Sequence, residues 1–225
     1  MGNTGSMSQM GNVDASRQPP FRTSEMPKEI VAFDFDGTLS IRDSFTDFLK
    51  WRVSPLDWLA GMVRLVPAAI GYLADRDRGK IKAASVRVFL KGMPRDVLAT
   101  QAEAYADELW SRFMRPDALA KWNEWGERGV HRVIVTASPE TTIAPFAQRL
   151  GAENLIGTRL EFDSEDRVTG RFETPNCRRD QKVKRIQAVY GPDVRVLAAY
   201  GDTSGDEQMI AMAEEKGFRV FTQKP

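Results

Sequence analysis

The chain has 225 residues, 42% hydrophobic and 28% charged, which suffices for one sizeable core plus a smaller lobe in an ordinary globular protein. A formal net charge of +1 excludes a global electrostatic case for nucleic-acid binding. The single cysteine, Cys177, excludes an intramolecular disulfide and fits a reducing, cytoplasmic setting.

Residues 1–27 are rich in Gly, Ser, Asn, Gln and Pro, show no apolar period, and read as a disordered leader. Met1 to Ser6 satisfies the short myristoylation pattern, and no continuous apolar core marks a signal peptide. The run from Ile30 to Phe35 is apolar and β-branched, bounded by charge before and by Gly37-Thr38 after, as expected for a buried parallel strand. Asp34 and Asp36 stand at its end. Strand alternation directs both carboxylates to one side unless the turn at Gly37 pulls the second one aside, and such a pair needs a cation or a shared proton. An EF-hand loop is excluded, because Leu39 and Phe45 occupy the glycine and glutamate positions counted from Asp34.

From Ile41 to Arg128 the pattern is helical, broken at Ser54-Pro55, Arg76 to Gly79, Gly92-Met93-Pro94 and Arg115-Pro116. Pro94 and Pro116 are placed as first-turn prolines. Between Lys50 and Arg95 stand ten Lys or Arg against three Asp, leaving about −6 for the remainder, an asymmetry that suits an anionic partner on one side. The segment from Trp51 to Ala74 is the most apolar, but Asp57, Arg64 and Pro67 interrupt it, so it falls short of a membrane span. Two readings stay open: a helix pair lying in a membrane interface, or the interior of a helical lobe.

Strand and helix signals then alternate. Strands are expected at Arg132 to Thr136, Arg195 to Tyr200 and Phe218 to Phe221, and a hairpin pairs Thr158 to Asp163 with Val168 to Phe172. Helices are expected over Pro139 to Leu150, Asp180 to Tyr190 and Ser204 to Lys216. The alternation predicts an α/β fold, a Rossmann-like parallel sheet with helices on both faces, and the early helical block becomes an inserted cap over the sheet's carboxyl edge. His131, the one histidine, sits at a strand edge, and neither it nor Cys177 shows a catalytic neighbourhood.

Three later segments bear on the Asp34-Asp36 strand end. Thr136-Ala137-Ser138-Pro139 closes a strand with a hydroxyl and a tight turn into a helix, whose free amides suit a phosphate. Lys182 stands near the start of a helix, and Asp202 and Asp206 close another strand four residues apart. Singly, these read as a helix cap, a surface lysine, and a turn with its cap. As an ordered set over residues 29–222 they resemble the haloacid dehalogenase superfamily of phosphatases, in the branch with its cap after the first motif.

That resemblance implies a core at 28–41 and 115–225, a cap at 42–114, and hydrolysis of phosphate monoesters through an aspartyl phosphate. It implies Asp34 as nucleophile, Asp36 as general acid and base, and Mg²⁺ held by Asp34, the Asp36 carbonyl and Asp202, with Asp206 supporting the metal shell and Lys182. Thr136, Lys182 and amides near Gly37 and Ala137 would hold the phosphoryl group, with Thr38 and Ser138 in the same cradle. Asp43 occupies the position where phosphoserine-phosphatase-like enzymes place an acid for the substrate amine. Thr136-Ala137-Ser138-Pro139 in place of Ser-Gly-Gly, Gly205 in place of asparagine, and Asn176-Cys177 with Gln181-Lys182-Val183 are instead similar to phosphatidylglycerophosphatase C-type enzymes. The expected partner is a phosphorylated small molecule or a phospholipid, without nucleic acid, and the cap can touch the inner face of a membrane peripherally. A soluble phosphoserine-like phosphatase and a non-catalytic phosphate-binding module are the alternatives.

Overall fold

The computed structural model describes residues 28–75 and 78–225; the leader and its myristoylation pattern lie outside them. The first half of the chain runs β1 (Glu29–Phe33), α1 (Ser44–Trp51), α2 (Pro55–Asp75), α3 (Arg78–Phe89), α4 (Arg95–Phe113) and α5 (Pro116–Glu127). The second half runs β2 (His131–Pro139), α6 (Glu140–Arg149), β3 (Asn154–Thr158), β4 (Leu160–Phe162), β5 (Val168–Phe172), α7 (Asp180–Tyr190), β6 (Arg195–Gly201), α8 (Glu207–Ala211) and β7 (Ala213–Phe218).

β1 is apolar on both faces because it is covered on both. Ile30 and Ala32 enter a core with Val133, Ile186 and Met209. Val31 and Phe33 enter a larger aromatic one with Phe113, Trp122 and Phe146. The strand order is β3-β2-β1-β6-β7, and every neighbouring pair is parallel. The α/β, Rossmann-like expectation therefore holds. Because the chain moves outward from β1 through β2 to β3, then returns to the other side for β6 and β7, the order reverses at β1. Ligands of open α/β sheets bind at the carboxyl ends beside such a reversal.

Between β1 and β2 the chain leaves and re-enters through a narrow neck. Ile41 N donates to Phe113 O at 2.9 Å and Arg115 N to Leu39 O at 2.8 Å, with α1 to α4 between these ladders. The inserted helices join the aromatic core: the Phe146 ring of α6 lies 5.2 Å from Phe35, 5.8 Å from Phe113 and 5.9 Å from Tyr105. α2 packs along α3 through Gly61, where a side chain would collide with the Phe89 ring, and through Trp58 stacked on Phe89 at 5.1 Å. Among the described residues no helix is long and apolar enough to cross a membrane.

Four expectations need correction. The first strand stops at Phe33 rather than Phe35, because the chain turns from Phe35 onward, although the Asp34 N–H still bonds Tyr200 O of β6. Ser204 to Lys216 is not one helix: α8 is short, and Ala213–Phe218 pairs with β6 as the edge strand, ahead of the expected Phe218 to Phe221 strand. The helical preference of Ala-Glu-Glu-Lys yields there to a parallel ladder that buries Ala213 and Gly217 and leaves the charges in solvent. β3 was not anticipated at all, since Asn154 and Gly157 dilute its apolar run; Thr158 ends it, and the expected hairpin forms from Leu160 onward. Pro94 is the residue before α4 rather than its first residue, whereas Pro116 opens α5 as expected.

Trp122 is fully buried, meets the Phe33 ring edge-on at 5.1 Å, and donates from Nε1 to Leu150 O at 2.9 Å. Trp122→Ala removes an aromatic side chain from the sheet's larger core and should cost about 3–5 kcal/mol of unfolding free energy, read as a lower urea midpoint at unchanged m-value.

Candidate active site

The carboxyl ends of β1, β2 and β6 converge on a cavity of about 380 Å³ lined by Asp34, Asp36, Asp43, Ala137, Lys182 and Asp206, among others. Asp34 leaves β1 in extended backbone, and three residues later Gly37 reverses the chain with φ +81°. A Cβ on Gly37 would overlap the Asp202 carboxylate, so both the backbone angle and the close approach demand glycine.

Lys182, on the first turn of α7, is the site's buried cation, 1% exposed. Its Nζ donates at 2.6 Å to Asp34 Oδ1, at 2.5 Å to Val135 O, and pairs at 2.6 Å with Asp206 Oδ1. An ammonium has three donors, and these three acceptors use them all. Asp206 Oδ2 accepts from the Thr203 N–H at 2.9 Å and its hydroxyl at 2.8 Å, so both of its oxygens are engaged. Asp202 differs: its Oδ1 is buried and accepts no hydrogen bond. Carboxylate oxygens of Asp34, Asp202 and Asp206 lie within 4.8 Å of one another. An all-oxygen, net-negative cluster with one orphaned buried oxygen fits a hard divalent cation such as Mg²⁺.

Strand alternation was expected to aim Asp34 and Asp36 together, and the turn prevents it. Asp36 Oδ1 accepts from Ser44 N at 2.7 Å and Ser44 Oγ at 2.5 Å, and Oδ2 accepts from Ser138 Oγ at 2.5 Å. Its carboxylate thus faces the inserted helices instead of the three-carboxylate cluster. Thr136 is fully buried and its Oγ1 accepts from Ser138 N at 3.0 Å; Thr38 Oγ1 reaches Asp34 Oδ2 only at 3.4 Å. Asp43 caps α1 by accepting from Thr46 N at 2.7 Å while lining the cavity. His131 is half-buried against Tyr190, and Cys177 is fully buried in the smaller core, within electrostatic reach of Lys182 and Asp34.

Two contributors were missed in the sequence. Lys82 of α3 reaches across to donate to Ala137 O at 3.2 Å and Ser138 Oγ at 3.3 Å, with its ammonium 5.5 Å from the Phe45 ring centre. Ser44 holds Asp36. Lys82 was one of ten basic residues in its stretch and had no local signal; Ser44, next to Asp43 at a helix start, was legible only as a cap.

Residues 31–211 match the haloacid dehalogenase-like hydrolase family model. The chain belongs to that family. It is 53% identical over 205 residues to Protein CicA of Caulobacter vibrioides, covering 90% of this chain and 92% of that one. Among solved structures, a phospho-aspartyl intermediate analogue of phosphoserine phosphatase superposes with TM-score 0.56 at 19% identity, over 83% of this chain and 84% of that one. A substrate-bound phosphoserine phosphatase gives 0.59 at 18%, over 85% and 86%. These two likenesses establish a shared fold.

In this haloacid dehalogenase-like hydrolase, burial pushes the Asp34 carboxyl up to about 8, against the pull of Lys182 and with help from Asp206 and Asp36. Burial, then Asp43, raises Asp36; burial, then Asp206, raises Asp202. Burial also opposes the charge on Asp206, but Lys182 and the Thr203 donors outweigh it and hold that carboxyl below its usual range. Lys182 is likewise opposed by burial, and Asp34 and Asp206 hold its ammonium above its usual range.

Asp34, Asp36 and Asp202 therefore bind protons more tightly in the folded than in the unfolded chain. Their contribution favours the fold in acid and is lost as pH rises; for Asp34 the loss runs from the ordinary carboxylate value of 3.8 toward about 8. Asp206 acts oppositely, below that window. In EDTA, the stability of the wild type relative to Asp34→Asn should fall between about pH 4 and pH 8, and millimolar Mg²⁺ should restore it at pH 8; urea melts across that range measure both.

Proposed function

We propose that this hydrolase is a Mg²⁺-dependent phosphomonoesterase working through an aspartyl phosphate, with residues 28–41 and 115–225 as its core and 42–114 as its cap. The observation that carries the proposal is the meeting, in one cavity, of Asp34, Lys182 and Asp206 with Asp36 held separately by serines. Asp34 attacks phosphorus and the ester oxygen departs with the proton that Asp36 carries; the raised Asp36 carboxyl suits that task. In the second half, Asp36 takes a proton from water as the water displaces Asp34 from phosphorus, releasing phosphate. Lys182, the Thr136 hydroxyl, and the backbone around Gly37 and Ala137 hold the phosphoryl oxygens, with Thr38 and Ser138 nearby. A bound Mg²⁺, held by Asp34, the Asp36 carbonyl and Asp202 with Asp206 in support, would supply the positive charge that keeps Asp34 ionised and offsets charge on the phosphoryl group.

For the substrate, we infer a lipid-linked phosphate such as phosphatidylglycerophosphate. The Thr136-Ala137-Ser138-Pro139 turn supports this, being similar to that of phosphatidylglycerophosphatase C-type enzymes, and so does a cavity whose lining includes Lys82 and Arg178 together with Phe45 and Ile81. A volume near 380 Å³ admits a headgroup and leaves acyl chains outside. The second reading is a soluble amino-acid phosphate, favoured by Asp43 on the cavity wall and by a fold shared with phosphoserine phosphatases.

Asp34→Asn keeps the shape of the side chain and removes the nucleophile. It should lower turnover of any ester by at least ~10³-fold while leaving far-UV circular dichroism unchanged; residual turnover above a few percent would displace Asp34 from this role. A parallel comparison of detergent-dispersed lipid phosphate with phosphoserine, each with and without Mg²⁺, should favour the lipid, and preference for phosphoserine would select the second reading.

A further inference from the structure

α2 meets the rest of the molecule along one side only. Gly61 and Leu65 are buried and Trp58 stacks on Phe89 of α3. On the opposite side Leu56, Leu59, Val63, Val66 and Ile70 are 50% to 79% exposed, and Met62 is 42% exposed. At about 100° per residue, the exposed apolar face runs from Ala69 through these side chains to Ala60, roughly half the helix circumference. Among the described side chains of α2 the exposed charged ones are Asp57 and Arg64, both at one border of this face. The sequence Arg-Gly-Lys-Ile-Lys-Ala-Ala-Ser-Val-Arg-Val-Phe of neighbouring α3 carries four cations and no acid.

We propose that α2 and α3 form the surface by which this protein lies on an anionic lipid bilayer, with the apolar face of α2 sunk in the interface and the exposed Lys80 and Arg87 of α3 toward headgroups. The proposal names the partner of the lipid-phosphate reading above and rests on it. Two features select a bilayer over a second protein helix. A helix partner covers a narrow seam of two positions in seven, whereas this face spans about twice the arc of an ordinary core-facing stripe, which a fluid apolar phase can wet throughout. Charge complementarity is the second: a purely cationic neighbour matches an anionic surface. The border position of Arg64 lets its stem lie along the apolar layer while its guanidinium reaches headgroups. α3 also joins this surface to the chemistry, because Ile81 and Lys82 line the cavity. A phosphate held in the headgroup layer would meet Lys82 before reaching Asp34.

The test is flotation of the full chain with vesicles of phosphatidylglycerol and phosphatidylcholine, compared with phosphatidylcholine alone, using Val63→Asp/Ile70→Asp as the variant. Wild type should float with the anionic vesicles, and the variant should bind more weakly by on the order of tenfold per substituted residue, while hydrolysing soluble aryl phosphate at the wild-type rate. Absence of wild-type flotation, undiminished binding by the variant, or sedimentation showing that the variant merely splits a dimer would each overturn the proposal. Should the variant fail to fold, Val66→Cys carrying an environment-sensitive dye reports instead; Cys177 is buried, so labelling is selective. Its emission should shift to the blue with anionic vesicles, and an unchanged spectrum counts against the surface. Flotation of Asp34→Asn, which does not turn over, separates the two claims. Retained flotation with no lipid hydrolysis by wild type defeats the substrate reading, whereas hydrolysis of detergent-dispersed lipid phosphate without flotation defeats the docking surface.

Discussion

The Lys182 ammonium lies in the dry junction of three strand ends, with one carboxylate from the end of β1, another from just beyond β6, and a carbonyl from β2 as its acceptors. Burying an ammonium with ionisable carboxyls is expensive, and in this cluster the cost is offset because every ammonium donor finds an acceptor at 2.5–2.6 Å. That requirement fixes the relative height of β1, β2, β6 and α7. It also leaves one carboxylate, Asp202, with an unsatisfied oxygen beside its neighbours. An oxygen of that kind, beside two further carboxylates, suits a hard divalent cation.

The inserted helices are tied to this junction through Asp36. Ser44 from α1 and Ser138 from β2 grip the same carboxylate from opposite sides, and Lys82 from α3 touches Ser138. The position of the insert is therefore read at the atoms beside the reacting centre. The aromatic core supplies the rigidity: Phe35, Phe113, Tyr105 and Phe146 pack across the neck, so α1 and α4 cannot shift without disturbing the turn that carries Asp36.

α2 departs from this economy. A helix that leaves six large apolar side chains in solvent gives up hydrophobic stabilisation that nearby α4 obtains by burying Leu98, Ala102, Tyr105 and Leu109. Such a face persists in a protein when something other than its own core makes use of it.

Much of this was legible in the sequence, for reasons that differ by residue. Asp34, Gly37, Lys182, Asp202 and Asp206 were readable because each sits at a strand end or helix start whose local pattern is strong, and their order along the chain is distinctive. The central strands were readable because burial on both faces demands unbroken apolar runs. What local pattern could not supply was anything set by distant neighbours. β7 is a strand because β6 offers it a ladder, against the preference of its own residues, and β3 hides behind polar residues that its edge position tolerates. Asp36 turns away from Asp34 because serines from two other elements capture it. Lys82 reaches the site only because α3 folds back over β2. The sequence by itself determined which residues carry the charge and where the central strands run, since those follow from short-range periodicity and turn chemistry. Only the tertiary structure decided which carboxylates share the buried ammonium, which side of α2 stays bare, and which of ten basic residues looks into the cavity, because each depends on contacts between segments far apart in the chain.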